Sequence, residues 1–288
     1  MGSFYRCCEY LNFCSLSYYD VHIILLELII SYIGLGVIAG FVAGLLGVGG
    51  GLIIVPVLIL IFQSNHFSQE VIVHLAIGTS LATIIFTSLS SIYAHHFSHK
   101  AVRWDIVKQL TPGIIIGALI GAVIADFISA KILQKFFGFF ELFVAFQMAL
   151  NIKPHASRTL PAKPGMALAG TGIGTISSIV GIGGGTLTVP FLVWCNIKMQ
   201  QAVATTSACG LPIAVAGCVG FILTGWNETG LPDYSIGYIY WPAFLAIVVA
   251  SMLFAPVGAW LAHRLSAAKL KRYFAFVLLM LGIRMLLT

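Results

Sequence analysis

Long apolar stretches recur along the chain: Val21 to Leu46, Val71 to Ala94, Ile106 to Ala125, Ile132 to Leu150, Ala202 to Thr224, Ile236 to Ala262 and Leu270 to Leu287. Each approaches the length that crosses about 30 Å of hydrocarbon as a helix. The polar residues between them form short connections, so the pattern predicts a polytopic helical membrane protein with no soluble domain. Function must then reside inside the bundle.

Composition strengthens this reading. The chain is 59% hydrophobic and 8% charged over 288 residues, with a mean hydropathy of +1.02. A water-soluble globule cannot hide that much apolar surface. The formal charge of +6 is spread over several loops, which suits orientation at a membrane surface and argues against nucleic-acid binding. Cys7, Cys8, Cys14, Cys195, Cys209 and Cys218 form no CxxC pair and no metal-ligand spacing with histidine, so they read as free or buried thiols. The first 20 residues read as an N-terminal arm without the basic start and apolar core of a cleaved signal, and Arg6 stands where a myristoylation pattern needs Ser or Thr.

The polar punctuation inside the apolar stretches is doubled. "GVGGGLIIVP" runs from Gly47 to Pro56 and "GIGGGTLTVP" from Gly181 to Pro190, both shifted by 134 positions. Gly78-Thr79-Ser80 follows the first block, and Thr205-Thr206-Ser207 the second. Gly121 to Phe137 aligns with Gly258 to Phe274. The chain therefore reads as two copies of one unit, residues 21–150 and 165–288, joined by a proline-containing cytoplasmic linker, 151–164. Each copy is expected to hold a long helix, a glycine block, a short apolar segment and three full spans.

Loop charge gives a direction. The connection after the third segment carries His95, His96, His99, Lys100 and Arg103 in copy one, whereas Trp226 to Ser235 in copy two carries Glu228 and Asp233 and no base. In the next connection Lys131 and Lys135 stand with Asp126 in copy one, against Arg264, Lys269, Lys271 and Arg272 in copy two. Because basic short loops stay cytoplasmic, equivalent loops are expected on opposite sides, the mark of inverted-topology repeats, with both termini non-cytoplasmic.

The glycines then acquire a chemical reading. Leu52 to Phe62 spans about 16 Å as a helix, roughly half the hydrocarbon, so the turn before it falls at depth. Irregular backbone is tolerated there only against protein or a polar cavity. A helix starting after such a turn points free N–H groups and its positive dipole end at it, which suits an anion. Gly47, Gly49, Gly50 and Gly51 with Gly181, Gly183, Gly184 and Gly185 are thus expected to form a paired cradle, with Thr79, Ser80, Thr206 and Ser207 as neutral donors. By contrast, the four-residue spacing of Gly36, Gly40 and Gly44, and of Gly113, Gly117 and Gly121, reads as close helix packing.

Other residues are weaker candidates. Glu27 and Glu141 are acids within apolar spans and so are candidates for proton coupling, although Glu141 aligns with Leu278 in the other copy. His95, His96 and His99 read as a solvated basic loop in preference to a metal site, His74 as a lone histidine, Arg284 as a snorkelling base, and Trp104, Trp226 and Trp241 as interfacial anchors. No HExxH, GxSxG or P-loop is present, so neither a membrane enzyme nor ATP drive is expected, and no cofactor or metal is implied.

The doubled glycine blocks, each with a proline five residues after its last glycine and a Thr/Ser-rich stretch beyond, resemble the TauE/SafE family of sulfite and organosulfonate exporters. The resemblance extends from about Val21 to the end and leaves the arm uncovered. It implies a secondary transporter of small sulfur-containing anions in a bacterial-type inner membrane, its substrate-binding groups at the two glycine blocks. An anion channel, or a transporter of another small anion such as a carboxylate, fits the same residues. Lipid and a small anion are the expected partners, with protons as the candidate coupling ion, and an oligomer is compatible with the pattern.

Overall fold

A computed structural model of the chain describes residues 18–46, 50–99, 102–150, 159–262 and 267–288. Among these it is almost entirely helical. Copy one of the sequence pattern holds α1 (Tyr18–Leu46), α2 (Gly51–Ser64), α3 (Ile72–His99), α4 (Trp104–Phe127) and α5 (Ala130–Ala149). Copy two holds α6 (Lys163–Val180), α7 (Gly185–Trp194), α8 (Met199–Thr224), a two-stranded hairpin of β1 (Ser235–Ile236) and β2 (Ile239–Tyr240), then α9 (Trp241–Ala262) and α10 (Ala267–Leu287). Six helices among the described residues are long and apolar enough to cross a membrane: α1, α3, α4, α5, α8 and α9. Lys271, Arg272 and Arg284 distinguish α10 from them. The short helices α2 and α7, of 14 and 10 residues, carry Pro56 and Pro190 in their interiors.

Small residues set the packing. A Cβ on Gly113, Gly117 or Gly121 would run into the backbone of Ala167, Thr171 or Thr175 in turn, so α4 and α6 lie side by side and run parallel. Gly36 meets Ile247 and Ala250, and Gly40 meets Ser251 at 2.5 Å from its Cβ position, which sets α1 parallel to α9. Gly36, Gly40, Gly113, Gly117 and Gly121 are therefore helix contacts, as their spacing predicts. The same contact is made twice. Gly170 lies on Leu110 and Gly174 on Ile114 just as Gly36 lies on Ile247 and Gly40 on Ser251.

Two other pairs run the opposite way. Ser91 Oγ donates to Ser207 Oγ at 3.0 Å, Gly210 abuts Ser88 and Gly217 abuts Leu81, so α3 and α8 are antiparallel. Gln134 Nε2 donates to Met285 O at 3.1 Å and to Thr288 Oγ1 at 3.0 Å, and Gly138 faces Gly282 and Leu286, so α5 and α10 are antiparallel too.

Burial separates an inner from an outer set. In α2, nine of the residues from Gly51 to Phe62 are buried, and α3 is buried over most of its length. Outward faces of α4 and α5 instead present Ile116, Leu119, Ile120, Val123, Phe136, Phe139, Phe143 and Phe146. That is the arrangement of a protein whose outer solvent is lipid.

Three boundaries differ from the sequence pattern. The apolar stretch from Ile236 is not one span: Tyr234 (φ 64°) and Gly237 (φ 52°) turn the chain into the hairpin, and the helix begins only at Trp241. Tyr238 and Tyr240 are buried, and the Tyr238 N–H donates to Phe221 O at 3.2 Å. His95, His96 and His99 belong to the last turns of α3, not to a loop. Pro164 lies inside α6, in its first turn, where a missing N–H leaves no bond unmade.

Candidate functional site

The second glycine block is a helix end, a turn and a helix start in quick succession. At the end of α6, Gly181 adopts φ 73°, ψ 36°, its N–H donates to Ser178 O at 3.2 Å and the Ile182 N–H donates to Ser177 O at 2.9 Å. This pair of bonds is a Schellman closure, and the left-handed residue in it favours glycine. Gly184 is left-handed again, φ 72°, ψ −2°, and α7 starts at Gly185. The N–H groups of Leu187 and Thr188 both reach Gly184 O. Those of Gly185 and Thr186, in the first turn, have no carbonyl one turn back to meet.

The first block repeats the helix start. The N–H groups of Ile53 and Ile54 both donate to Gly50 O at 3.0 Å, leaving those of Gly51 and Leu52 at the open end of α2. The two blocks touch. A Cβ on Gly51 would stand 2.5 Å from Gly181 O and 3.1 Å from Ile182 Cα. Ser80 Oγ donates to that same Gly181 O at 2.9 Å. Gly50, Gly51, Gly181, Gly183, Gly184 and Gly185 are all buried. Gly47 and Gly49 lie outside the described residues. Neither α2 nor α7 carries a charged side chain, so the helix termini supply the local positive potential.

The four expected hydroxyl donors divide. Ser80 is spent on Gly181 O. Ser207 Oγ donates to Val203 O at 3.2 Å and accepts from Ser91. Thr79 Oγ1 accepts the Tyr240 N–H at 3.0 Å and so ties α3 to the hairpin. Thr206 Oγ1 is buried with no partner among the described residues. Thr205 Oγ1 accepts the Arg103 N–H at 3.1 Å, so the hydrogen bonds match Thr79 with Thr205, one residue from the sequence alignment.

Other hydroxyls, which the sequence pattern did not single out, surround the second block. Ser177 Oγ and Thr188 Oγ1 each lie 3.4 Å from the Cβ position of Gly184. Both residues are fully buried and neither oxygen has a hydrogen-bond partner among the described residues. The Ser178 and Thr186 oxygens are buried and unpartnered as well. The one sequence signal for them is position, at the last turn before a glycine block and the first turn after it.

The acids lie elsewhere. Glu27 is exposed on α1 near the start of its apolar window. Glu141 is fully buried, its two carboxyl oxygens have no partner among the described residues, and it lies one turn from the Gly138 contact with Gly282 at the middle of α5. His74 Nε2–H donates to Ala125 O at 2.9 Å while its ring stacks on Tyr238, centroids 5.1 Å apart. Trp104 and Trp241 begin α4 and α9, and Trp226 follows the end of α8. Cys195, Cys209 and Cys218 are buried thiols, and Cys7, Cys8 and Cys14 lie outside the described residues. The described residues hold no group of three His, Cys, Asp or Glu placed to hold a metal ion.

Residues 32–285 match the family described as Sulfite exporter TauE/SafE. The chain belongs to the TauE/SafE family. It is 36% identical over 253 residues to a probable membrane transporter protein of Haemophilus influenzae, covering 88% of this chain and 96% of the relative. A probable membrane transporter protein of Methanocaldococcus jannaschii is 30% identical over 257 residues, 88% of this chain and 93% of that one. YunE of Bacillus subtilis, also named a probable membrane transporter protein, is 27% identical over 273 residues, 88% of this chain and 95% of the relative. No solved structure matches. Family membership and the six apolar helices together make this a multi-pass membrane transporter acting on a small molecule.

Proposed function

We propose that the protein is a secondary transporter that carries small sulfur-containing oxyanions, such as sulfite, sulfoacetate or another organosulfonate, across the inner membrane. The observation that carries this reading is the contact of the α2 N-terminus, at Gly51, with the Gly181–Ile182 turn that leads into α7, beside buried unpartnered hydroxyls. Such a seam offers N–H donors and positive dipole ends without a fixed cation, which suits an anion that must also leave. The family description supplies the sulfur chemistry.

Two insertions of opposite sense underlie the site in this reading. Its supports are the antiparallel contact of counterpart helices, α3 with α8 and α5 with α10, together with the opposed charge of equivalent loops. Both termini are then non-cytoplasmic. Coupling to protons runs through Glu141, a carboxyl held in the bundle without a counter-ion, with Glu27 the lesser candidate because it faces outward.

Purified protein in liposomes should take up radiolabelled sulfite or sulfoacetate selectively and saturably, faster with a pH gradient. Flux that fails to saturate would favour a channel. Movement of carboxylates alone would replace the sulfur assignment.

A further inference from the structure

The two glycine turns share a backbone but not a lining. Ser177 and Thr188, the residues whose oxygens flank Gly184, correspond by the 134-residue shift to Ala43 and Ile54, which carry no hydroxyl. The hydroxyls of the second turn also behave unlike the back-bonded ones elsewhere in the chain, and share with Thr206 the lack of a partner among the described residues. Ser31, Ser64, Thr111, Thr171 and Ser207 bond the carbonyl four residues back, and Thr83, Thr87 and Ser251 the carbonyl three back. That is the default for a helical hydroxyl in apolar surroundings. Ser177 Oγ and Thr188 Oγ1 do neither, although both residues are fully buried, where an unmade hydrogen bond is destabilising.

We infer that the anion is held one-sidedly, by the N-terminus of α7 together with the Ser177 and Thr188 hydroxyls, while the first turn serves as a wall. The wall is Gly51, pressed against Gly181 O and Ile182, with the apolar Ile54 beyond it. The inference deepens the proposed function and rests on it. It also narrows the ligand. The donors that face Gly184 are two hydroxyls and the first-turn N–H groups of α7, with no ionised base among them. Such a set is matched by a small oxyanion presenting two or more bare acceptor oxygens, as a sulfonate or sulfite does.

The test is uptake of radiolabelled sulfite and methanesulfonate by reconstituted wild type and variants, each shown by size exclusion to be folded. Ser177→Ala and Thr188→Val should each raise KM about tenfold to a hundredfold, the loss of one hydrogen bond to a charged group, with kcat changed less. Thr188→Ser, which keeps the hydroxyl, should stay near the wild-type KM. Thr111→Val, which removes a back-bonded hydroxyl of the same kind, should leave KM unchanged. A wild type that moves sulfite while Ser177→Ala and Thr188→Val do so at unchanged KM overturns the one-sided site and spares the transporter reading. Equal KM increases from Thr188→Val and Thr188→Ser overturn it also, since a hydroxyl would then not be the operative group. A wild type that moves neither anion removes the sulfur assignment and this inference with it.

Discussion

Replacing Gly51 by Ala adds one methyl group where the two glycine turns touch. Its carbon would sit 2.5 Å from Gly181 O and 3.1 Å from Ile182 Cα, both backbone atoms. Comfortable separation is about 3.5 Å or more, so the turns must part by about 1 Å or α2 must slide. Neither neighbour has a rotamer to change, and Gly181 is fixed by its left-handed closure and by Ser80. Overpacking of this kind destabilises by about 1–3 kcal/mol, and a shift of about 1 Å at a working centre can lower a rate by about a hundredfold. Gly34→Ala is the matched control: that glycine is also helical, and its Cβ would meet nothing within 4 Å. There the change should be neutral or stabilise by up to about 1 kcal/mol through helix propensity. Thermal unfolding in detergent and initial rates in liposomes read both effects. A Gly51→Ala protein with wild-type Tm and wild-type uptake would refute the reasoning that the turns bear directly on each other and on transport.

Other perturbations report on separate parts of the molecule. Gly121→Leu should separate α4 from α6, where even a Cβ would be 2.5 Å from Thr175 O, and lower Tm more than the same change at exposed Gly172. In Glu141→Gln, uptake should persist but lose its dependence on a pH gradient, whereas an unchanged pH profile would take coupling away from that carboxyl. Single cysteines placed between Trp226 and Ser235 should react with an impermeant maleimide from the non-cytoplasmic side, and labelling only from the cytoplasm would reverse the orientation. Buried Cys195, Cys209 and Cys218 should resist the same reagent until the protein is unfolded.

The elements that the sequence revealed best are those dictated by lipid. A helix that must bury every backbone bond inside itself needs a long apolar run, and six of the seven runs hold helices apolar enough to span among the described residues, the seventh forming the more basic α10. Glycine stripes were legible for the same reason, since close approach needs a missing Cβ every fourth residue. The hairpin was not. Ile236, Tyr238, Ile239 and Tyr240 read as more span, and what turns them is the positive φ of Tyr234 and Gly237 together with a long-range bond to Thr79. Within the site, the turns at Gly181 and Gly184 were foreseeable from composition. The division of labour among hydroxyls was not, because it depends on whether each bonds back to its own helix, as Ser207 does, or stays free, as Ser177 and Thr188 do. Nothing in a Ser or Thr letter distinguishes the two.

The hairpin ties one end of the molecule shut. It holds the Thr79–Tyr240 bond, the Tyr238–Asp126 bond at 3.1 Å and the His74–Tyr238 stack, so helices that part there must first give these up. At about 1 kcal/mol net for each hydrogen bond, losing the two bonds alone slows such a parting by about tenfold or more. In the carrier proposed above, the half-cycle that opens this side then sets the pace, and one short turn of chain acts as its latch.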